Sequence, residues 1–234
     1  MVFHAGTPDG LVAFAPLATE ASAQGLRIVS VARPGYECST RHVGRAVADV
    51  VADVEDVLDH VGAEEYVAVG YSGGGPHALA CRALSAERCL GAVVVSSLAP
   101  CGAAGLDFLD GMSEENARGF RKAIEGPAAL EPYLESLAPA YAEIQSSEVV
   151  EALNSTLPEV DRAHLSVELA AFVAEALRRG VGAGIGGWLD DTLAFTRPWG
   201  FDVHELTRVD LARNGRSHGA LPTRPLAGSG HARG

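Results

Sequence analysis

The sequence lacks the marks of several large protein classes. Its four cysteines, Cys38, Cys81, Cys89 and Cys101, make no C-x-x-C pair. They read as reduced thiols of a cytoplasmic protein, with a disulfide pair as the alternative. No group of histidine, aspartate and glutamate has ligand spacing, so neither a metal nor a cofactor is expected. Basic residues are scarce: 18 Lys and Arg stand against 30 Asp and Glu, a net charge of −12. Binding a phosphate backbone needs clustered cations, so nucleic acid is not an expected partner. Long apolar runs are missing as well. Stretches such as Leu90 to Val95 fall far short of the ~20 residues that span a bilayer, and no membrane partner is expected. The opening MVFHAGTPDG has no basic region leading into an apolar one, so no signal peptide is read there. There are no internal repeats, and the composition leaves oligomeric state open.

What is present is a chain of 234 residues, 47% hydrophobic, enough for one domain with a sizeable core and an inserted subdomain. Its first hundred residues alternate between two patterns. The runs Leu26 to Val31, Tyr66 to Val69 and Ala92 to Val95 are short, apolar and rich in β-branched residues, as in strands of a parallel sheet covered on both faces. Met1 to His4 reads as the remnant of one more. Between them, Arg45 to Val61 places Val47, Val50, Val51, Val54, Val57, Leu58 and Val61 at helical spacing, with Asp49, Asp53, Glu55, Asp56 and Asp59 opposite. Pro76 to Leu84 predicts a second helix, with proline near its start, where it is tolerated. Strand, helix, strand, helix, strand is the pattern of right-handed βαβ units.

The pattern changes from Cys101 to Thr196. Ser113 to Glu125, Leu130 to Ala142, Ser147 to Leu157 and Leu165 to Arg179 read as amphipathic helices with no strand between them. The expected architecture is a doubly wound, mostly parallel α/β sheet with an inserted helical cap. Residues 1–100 form the core, 101–199 the cap and 200–215 the return to the core. That return carries a last strand within Arg208 to Asn214. The Gly-, Arg- and Pro-rich tail, 216–234, is expected to be poorly ordered.

One stretch carries chemistry. Val67 to Val69 run into Gly70-Tyr71-Ser72-Gly73-Gly74, which fits G-x-S-x-G between a strand and a helix. A turn this sharp holds the serine in strained φ/ψ, and its neighbours must lack side chains that would clash. The hydroxyl then stands at the C-terminal end of a parallel strand, where open α/β sheets bind ligands. It also lies beside a helix N-terminus, whose free N–H groups favour developing negative charge. A tight loop without chemistry is the bland alternative. A phosphate loop would need the Lys and Ser/Thr of a Walker motif, which are absent. A second cluster, Gly182 to Gly187, formally contains G-x-G-x-x-G, but it follows a helix rather than a strand and reads as a flexible loop.

Three blocks in order resemble the α/β-hydrolase superfamily, and within it the prolyl-aminopeptidase-like and haloperoxidase-like serine hydrolases. GYSGGGPHALA resembles the nucleophile elbow and its helix. FHAGTPDG, residues 3–10, resembles the oxyanion loop, and ARPGYECST, residues 32–40, the loop after the next strand. RPWGFD, residues 197–202, resembles the point where such chains leave the cap. The resemblance implies that Ser72 is the nucleophile and that the N–H groups of Thr7 and Gly73 form the oxyanion hole, since Pro8 has no N–H to offer. Ala32 stands where relatives have aspartate, and Glu37-Cys38 where they have a glycine-containing pair. Both ends look clipped, and a truncated or frame-shifted reading of a hydrolase gene would account for that.

A serine hydroxyl needs a histidine base oriented by a carboxylate, in the chain order Ser, Asp, His. His218 stands where the resemblance implies the aspartate. His231, in the terminal GSGH, stands for the histidine, although only 13 positions separate the two. His4 and His77 are candidates for substrate contact, the alternatives being a satisfied strand end and helix packing. His42 and His60 read as surface positions, and His164 and His204 carry no motif. Asp107 and Asp110, and the pair Asp190-Asp191, read as solvated acids rather than catalytic ones. Phe108, Phe120, Tyr133, Tyr141, Phe172 and Trp188 supply either an acyl pocket or plain core. The implied activity is hydrolysis of a small ester, amide or peptide through an acyl-enzyme on Ser72, with a small molecule as the only expected partner. The alternative is a catalytically impaired protein on the same scaffold. A haloalkane or epoxide route would need an aspartate in place of Ser72.

Overall fold

The computed structural model describes residues 1–156, 159–162, 165–206 and 209–212. Five strands form one parallel sheet in the order β2-β1-β3-β4-β5: β1 Val2–His4, β2 Val29–Ser30, β3 Tyr66–Tyr71, β4 Cys89–Val95 and β5 Val209–Ala212. Along β3 the fully buried residues Tyr66, Ala68 and Gly70 alternate with half-buried Val67 and Val69. The strand is therefore covered on both sides, as its continuous apolar run requires. The expected strand at Leu26 to Val31 shortens to two residues, because β2 pairs only with β1.

The first half supplies three helices: α1 Ala15–Ala23, α2 Val50–His60 and α3 Gly75–Leu84. The apolar face of α2 buries Val50, Val51, Val54 and Leu58. Helix α3 opens with proline in its first turn and buries all of Gly75 to Cys81, as befits a helix lying against the sheet. Together with Val2, Ala68, Ala92 and Val94 of the sheet, these helices enclose the main core.

Between β4 and β5 the described chain is helical: α4 Glu114–Glu125, α5 Pro127–Glu143, α6 Ser146–Thr156, α7 Glu159–Arg162, α8 Val167–Gly182 and α9 Gly186–Phe195. Their starts follow capping chemistry. Ser113 Oγ accepts from the Asn116 N–H at 3.3 Å, and Ser166 Oγ accepts from the Leu169 N–H at 3.1 Å. A second core joins Ala123 of α4, Leu130 and Leu134 of α5, Val181 of α8 and Trp188, Leu189 and Leu193 of α9. Ala194 and Phe195, at the end of α9, belong instead to the main core with Trp199. Helix α9 thus joins the two cores. No described helix is long and apolar enough to cross a membrane.

Two expectations change here. Gly182 to Gly187 is not a loose loop. Gly182 ends α8, Gly186 and Gly187 begin α9, and a Cβ on Gly187 would lie 2.5 Å from the Tyr36 ring. The glycine is there for close packing. Asp190 and Asp191, expected in solvent, are 3% and 0% exposed. Arginines from the β2–α2 segment reach across to them and make that burial tolerable.

Candidate active site

Strand β3 ends in a 3-10 turn, Ser72–Gly74, that leads directly into α3. Ser72 has φ +50°, the left-handed region that costs a residue with a side chain on the order of 1–2 kcal/mol. The surrounding glycines are needed for space: a Cβ on Gly70 would lie 2.5 Å from the Gly74 carbonyl oxygen. The sharp strand-to-helix turn expected from G-x-S-x-G is therefore present.

The loop after β1 meets this turn. A Cβ on Gly73 would lie 2.5 Å from Thr7 Oγ1 and 3.1 Å from the Thr7 backbone nitrogen. Residues 7 and 73, singled out in the sequence, are thus neighbours. Thr7, Pro8, Ser72 and Gly73 line one cavity of about 100 Å³. Its remaining wall is supplied by Ser96 and Leu98 after β4, by Glu115, Asn116 and Phe120 of α4, by Tyr133, Leu134, Leu137 and Tyr141 of α5, and by Trp188, Thr192 and Phe195 of α9. Tyr141 stacks on Trp188 with ring centres 5.0 Å apart, and its hydroxyl donates to Glu115 Oε1. Of the aromatics considered in the sequence, Phe120, Tyr133, Tyr141 and Trp188 face the cavity. Phe108 packs edge-on against Phe120, and Phe172 against Phe14.

Beneath the loop after β1 lies a charged cluster that the sequence reading missed. Asp191 Oδ2 accepts from Thr7 Oγ1 at 2.8 Å, from Arg33 Nε at 3.0 Å and Nη2 at 2.7 Å, and from the Tyr36 hydroxyl at 2.8 Å. Asp191 Oδ1 accepts from Arg45 Nη1 at 2.6 Å. Arg33 also donates to the carbonyls of Ala5 at 2.8 Å and Gly6 at 2.7 Å. Burial alone would raise the Asp191 carboxyl, but Arg33, Arg45 and the nearby His77 outweigh it and hold it well below the usual carboxylate range. Asp190 makes its own two-pronged pair with Arg41, at 2.8 and 3.0 Å. In the loop after β2, Glu37 takes φ +50° and accepts from the Leu11 N–H at 2.7 Å, which ties that loop to the one after β1.

The histidines separate. His77 is fully buried, with Nε2 3.4 Å from Asp191 Oδ1 and Nδ1 3.4 Å from the Val47 carbonyl. His4 is 3% exposed, with Nε2 3.5 Å from Cys81 Sγ. Desolvation lowers both below the ordinary histidine range, so each is neutral near pH 7. Neither lines the cavity, so the expected substrate contact gives way to packing for both: they fill the space between α3, β1 and the Asp191 cluster. His42, His60 and His204 lie at the surface, as do Asp107 and Asp110. His164, His218 and His231 fall outside the described residues. The carboxyl of Asp9, beside Gly6, is pushed by desolvation up to about 6, against the pull of Arg33.

Several solved structures share this architecture. An alpha/beta hydrolase fold protein from Nakamurella multipartita is similar at 20% identity and a TM-score of 0.57, over 90% of this chain and 72% of its own. An enol-lactonase from Burkholderia xenovorans is 13% identical with a TM-score of 0.57, over 93% and 83% of the two chains. An epoxide hydrolase from Vigna radiata is 16% identical with a TM-score of 0.59, over 91% and 71%. At these identities the likeness is one of fold. A search of curated proteins gave no significant match. The family model of the alpha/beta hydrolase fold matches residues 1–120 of the 234, the part that carries the loop after β1 and the serine turn. The chain belongs to the alpha/beta hydrolase fold family.

Proposed function

We propose that this protein is a serine hydrolase of small esters, amides or peptides. Ser72 Oγ attacks the substrate carbonyl carbon while its proton passes to a histidine base, for which His231 is the candidate by chain order. The carbonyl oxygen becomes an oxyanion that accepts from the Thr7 and Gly73 N–H groups. Collapse expels the alcohol or amine, which takes up the proton, and leaves an acyl group on Ser72. Water then attacks the acyl carbon, releasing the acid and restoring the hydroxyl. The helices α4 to α8 act as a cap whose aromatic wall receives the acyl part. Four free cysteines support a cytoplasmic setting.

The observation that supports this reading is that Ser72, at φ +50°, lines one cavity together with Thr7 and Gly73. A cavity of about 100 Å³ suits a small acyl group. The test is labelling with a fluorophosphonate, comparing wild type with Ser72→Ala. Labelling that disappears in the variant is the expected result. A folded wild type that takes no label would favour the catalytically impaired scaffold instead.

A further inference from the structure

We propose that Arg33, held by Asp191, is a positioning residue that aims the Thr7 amide at the oxyanion. This rests on the serine hydrolase reading and extends it to a group outside the cavity wall. The argument starts from the peptide bond. The Thr7 N–H and the Gly6 C=O belong to one planar, trans unit, so they point in opposite directions. Arg33 Nη2 donates to that carbonyl oxygen at 2.7 Å, and Nη1 donates to the preceding one, of Ala5, at 2.8 Å. The Asp9 N–H adds a longer bond to the Gly6 oxygen, at 3.2 Å. Fixing the carbonyl end fixes where the N–H end points. A cation on the carbonyl also polarises the peptide and makes its N–H a stronger donor.

Arg33 is in turn fixed by Asp191, which takes its Nε at 3.0 Å and its Nη2 at 2.7 Å. The Thr7 side chain joins the same grip: its hydroxyl donates to Asp191 at 2.8 Å and accepts from Arg33 Nη2 at 3.1 Å. Both ends of the residue that supplies the amide are therefore held by one buried ion pair, 3% and 0% exposed at the two side chains. Lysine cannot replace this fork, since a point charge on a flexible stem cannot meet two carbonyls and a carboxylate in one plane.

The test compares wild type, Arg33→Lys and Arg33→Met by two readouts. The first is the Thr7 amide resonance in a ¹⁵N–¹H spectrum, which reports polarisation of that peptide whether or not the protein turns over. Arg33→Lys is expected to move it while resonances of β4 stay in place. The second is p-nitrophenyl acetate hydrolysis, where kcat is expected to fall by at least ~10-fold with KM unchanged, against the ~100- to 1,000-fold typical of deleting one oxyanion donor. Should Arg33→Lys fail to fold, Arg33→Met, which leaves Asp191 paired with Arg45 and residue 7 unchanged, carries the same comparison. An unmoved Thr7 resonance overturns the proposal, even with a lower kcat, because the effect would then run by another route. A wild type that neither hydrolyses nor labels at Ser72 sinks the hydrolase reading, while the resonance still decides whether Arg33 aims the amide.

Discussion

Ser72 and Ser96 stand side by side at the ends of neighbouring strands, and both have φ +50°. The last paired residues of β3 and β4 are Tyr71 and Val95, so each serine is the first residue past the pairing. Both line the same cavity. Two side chains held in the left-handed region at one sheet edge are strain concentrated where the site is built.

That strain gives the first prediction. Ser72→Gly should be more stable than Ser72→Ala by about 1 kcal/mol, because glycine adopts φ +50° without a Cβ clash and alanine does not. Urea unfolding of the two variants, both lacking the Ser72 hydroxyl, measures the difference. Equal midpoints would mean that the turn relaxes around its side chain.

Gly180 of α8 presses on the loop after β1: a Cβ there would lie 1.6 Å from the Pro8 carbonyl oxygen. Neither backbone can yield cheaply. Gly180→Ala is expected to destabilise the fold by about 1–3 kcal/mol through overpacking. It should also lower kcat on p-nitrophenyl acetate, by displacing Thr7 through its neighbour. Thermal melting and the same ester assay read both effects, and a variant with wild-type values of each would refute the contact.

Asp9 gives a pH dependence. Its folded value, about 6, lies above the ordinary carboxylate value of about 4, so the folded chain holds this proton more tightly than the unfolded one. Stability therefore falls as pH rises from about 4 to about 6, and the ionised carboxylate is a standing cost above that window. Asp9→Asn removes the charge. Its melting temperature should exceed wild type at pH 8, and the gap should close by pH 4. A gap of the same size at both values would assign the effect to something other than ionisation.

The Asp191 cluster predicts an asymmetry between its members. Asp191→Asn leaves Arg33 and Arg45 buried without a counter-charge and should cost about 3–5 kcal/mol. Arg33→Met leaves Asp191 paired with Arg45, one charge against one, and should cost less. Denaturant unfolding of the two variants ranks them, and the reverse order would contradict the charge count. Acid should also weaken this fold once pH falls far enough to protonate Asp191, whose stabilising share is present above the ordinary carboxylate range and lost well below it.

The sheet was readable because its strands are β-branched runs with no other use, and β3, β4 and β5 fall where Tyr66 to Val69, Ala92 to Val95 and Arg208 to Asn214 had them. Helices α4, α5, α6 and α8 announce themselves by spacing. Helix α9 does not, because Asp190 and Asp191 sit on faces that are buried, and periodicity assigns carboxylates to water. The only signal was indirect: Arg33, Arg41 and Arg45 crowd a segment with few acids of its own, and their partners lie 146 to 158 positions away. Local pattern carries no information on such a pairing. Helix α1 was also missed, since its alanine-rich turns bury only Ala21 and show little amphipathic contrast. The strained serine turn was legible from motif and part of the aromatic wall from composition, whereas the ion cluster beneath the loop after β1 exists only in three dimensions.

Helix α9 turns Trp188, Thr192 and Phe195 to the cavity and Asp191 to the arginines, one residue from Thr192. A change of wall on this side shifts the helix that anchors the amide of residue 7. Helices α4 and α5 bring Asn116, Tyr133 and Leu137 to the same cavity, and among the described residues no hydrogen bond ties them to Asp191 or Arg33. Selection for new substrates, in nature or in the laboratory, therefore has one permissive side on which to work, and variation should accumulate there while the α9 side stays fixed.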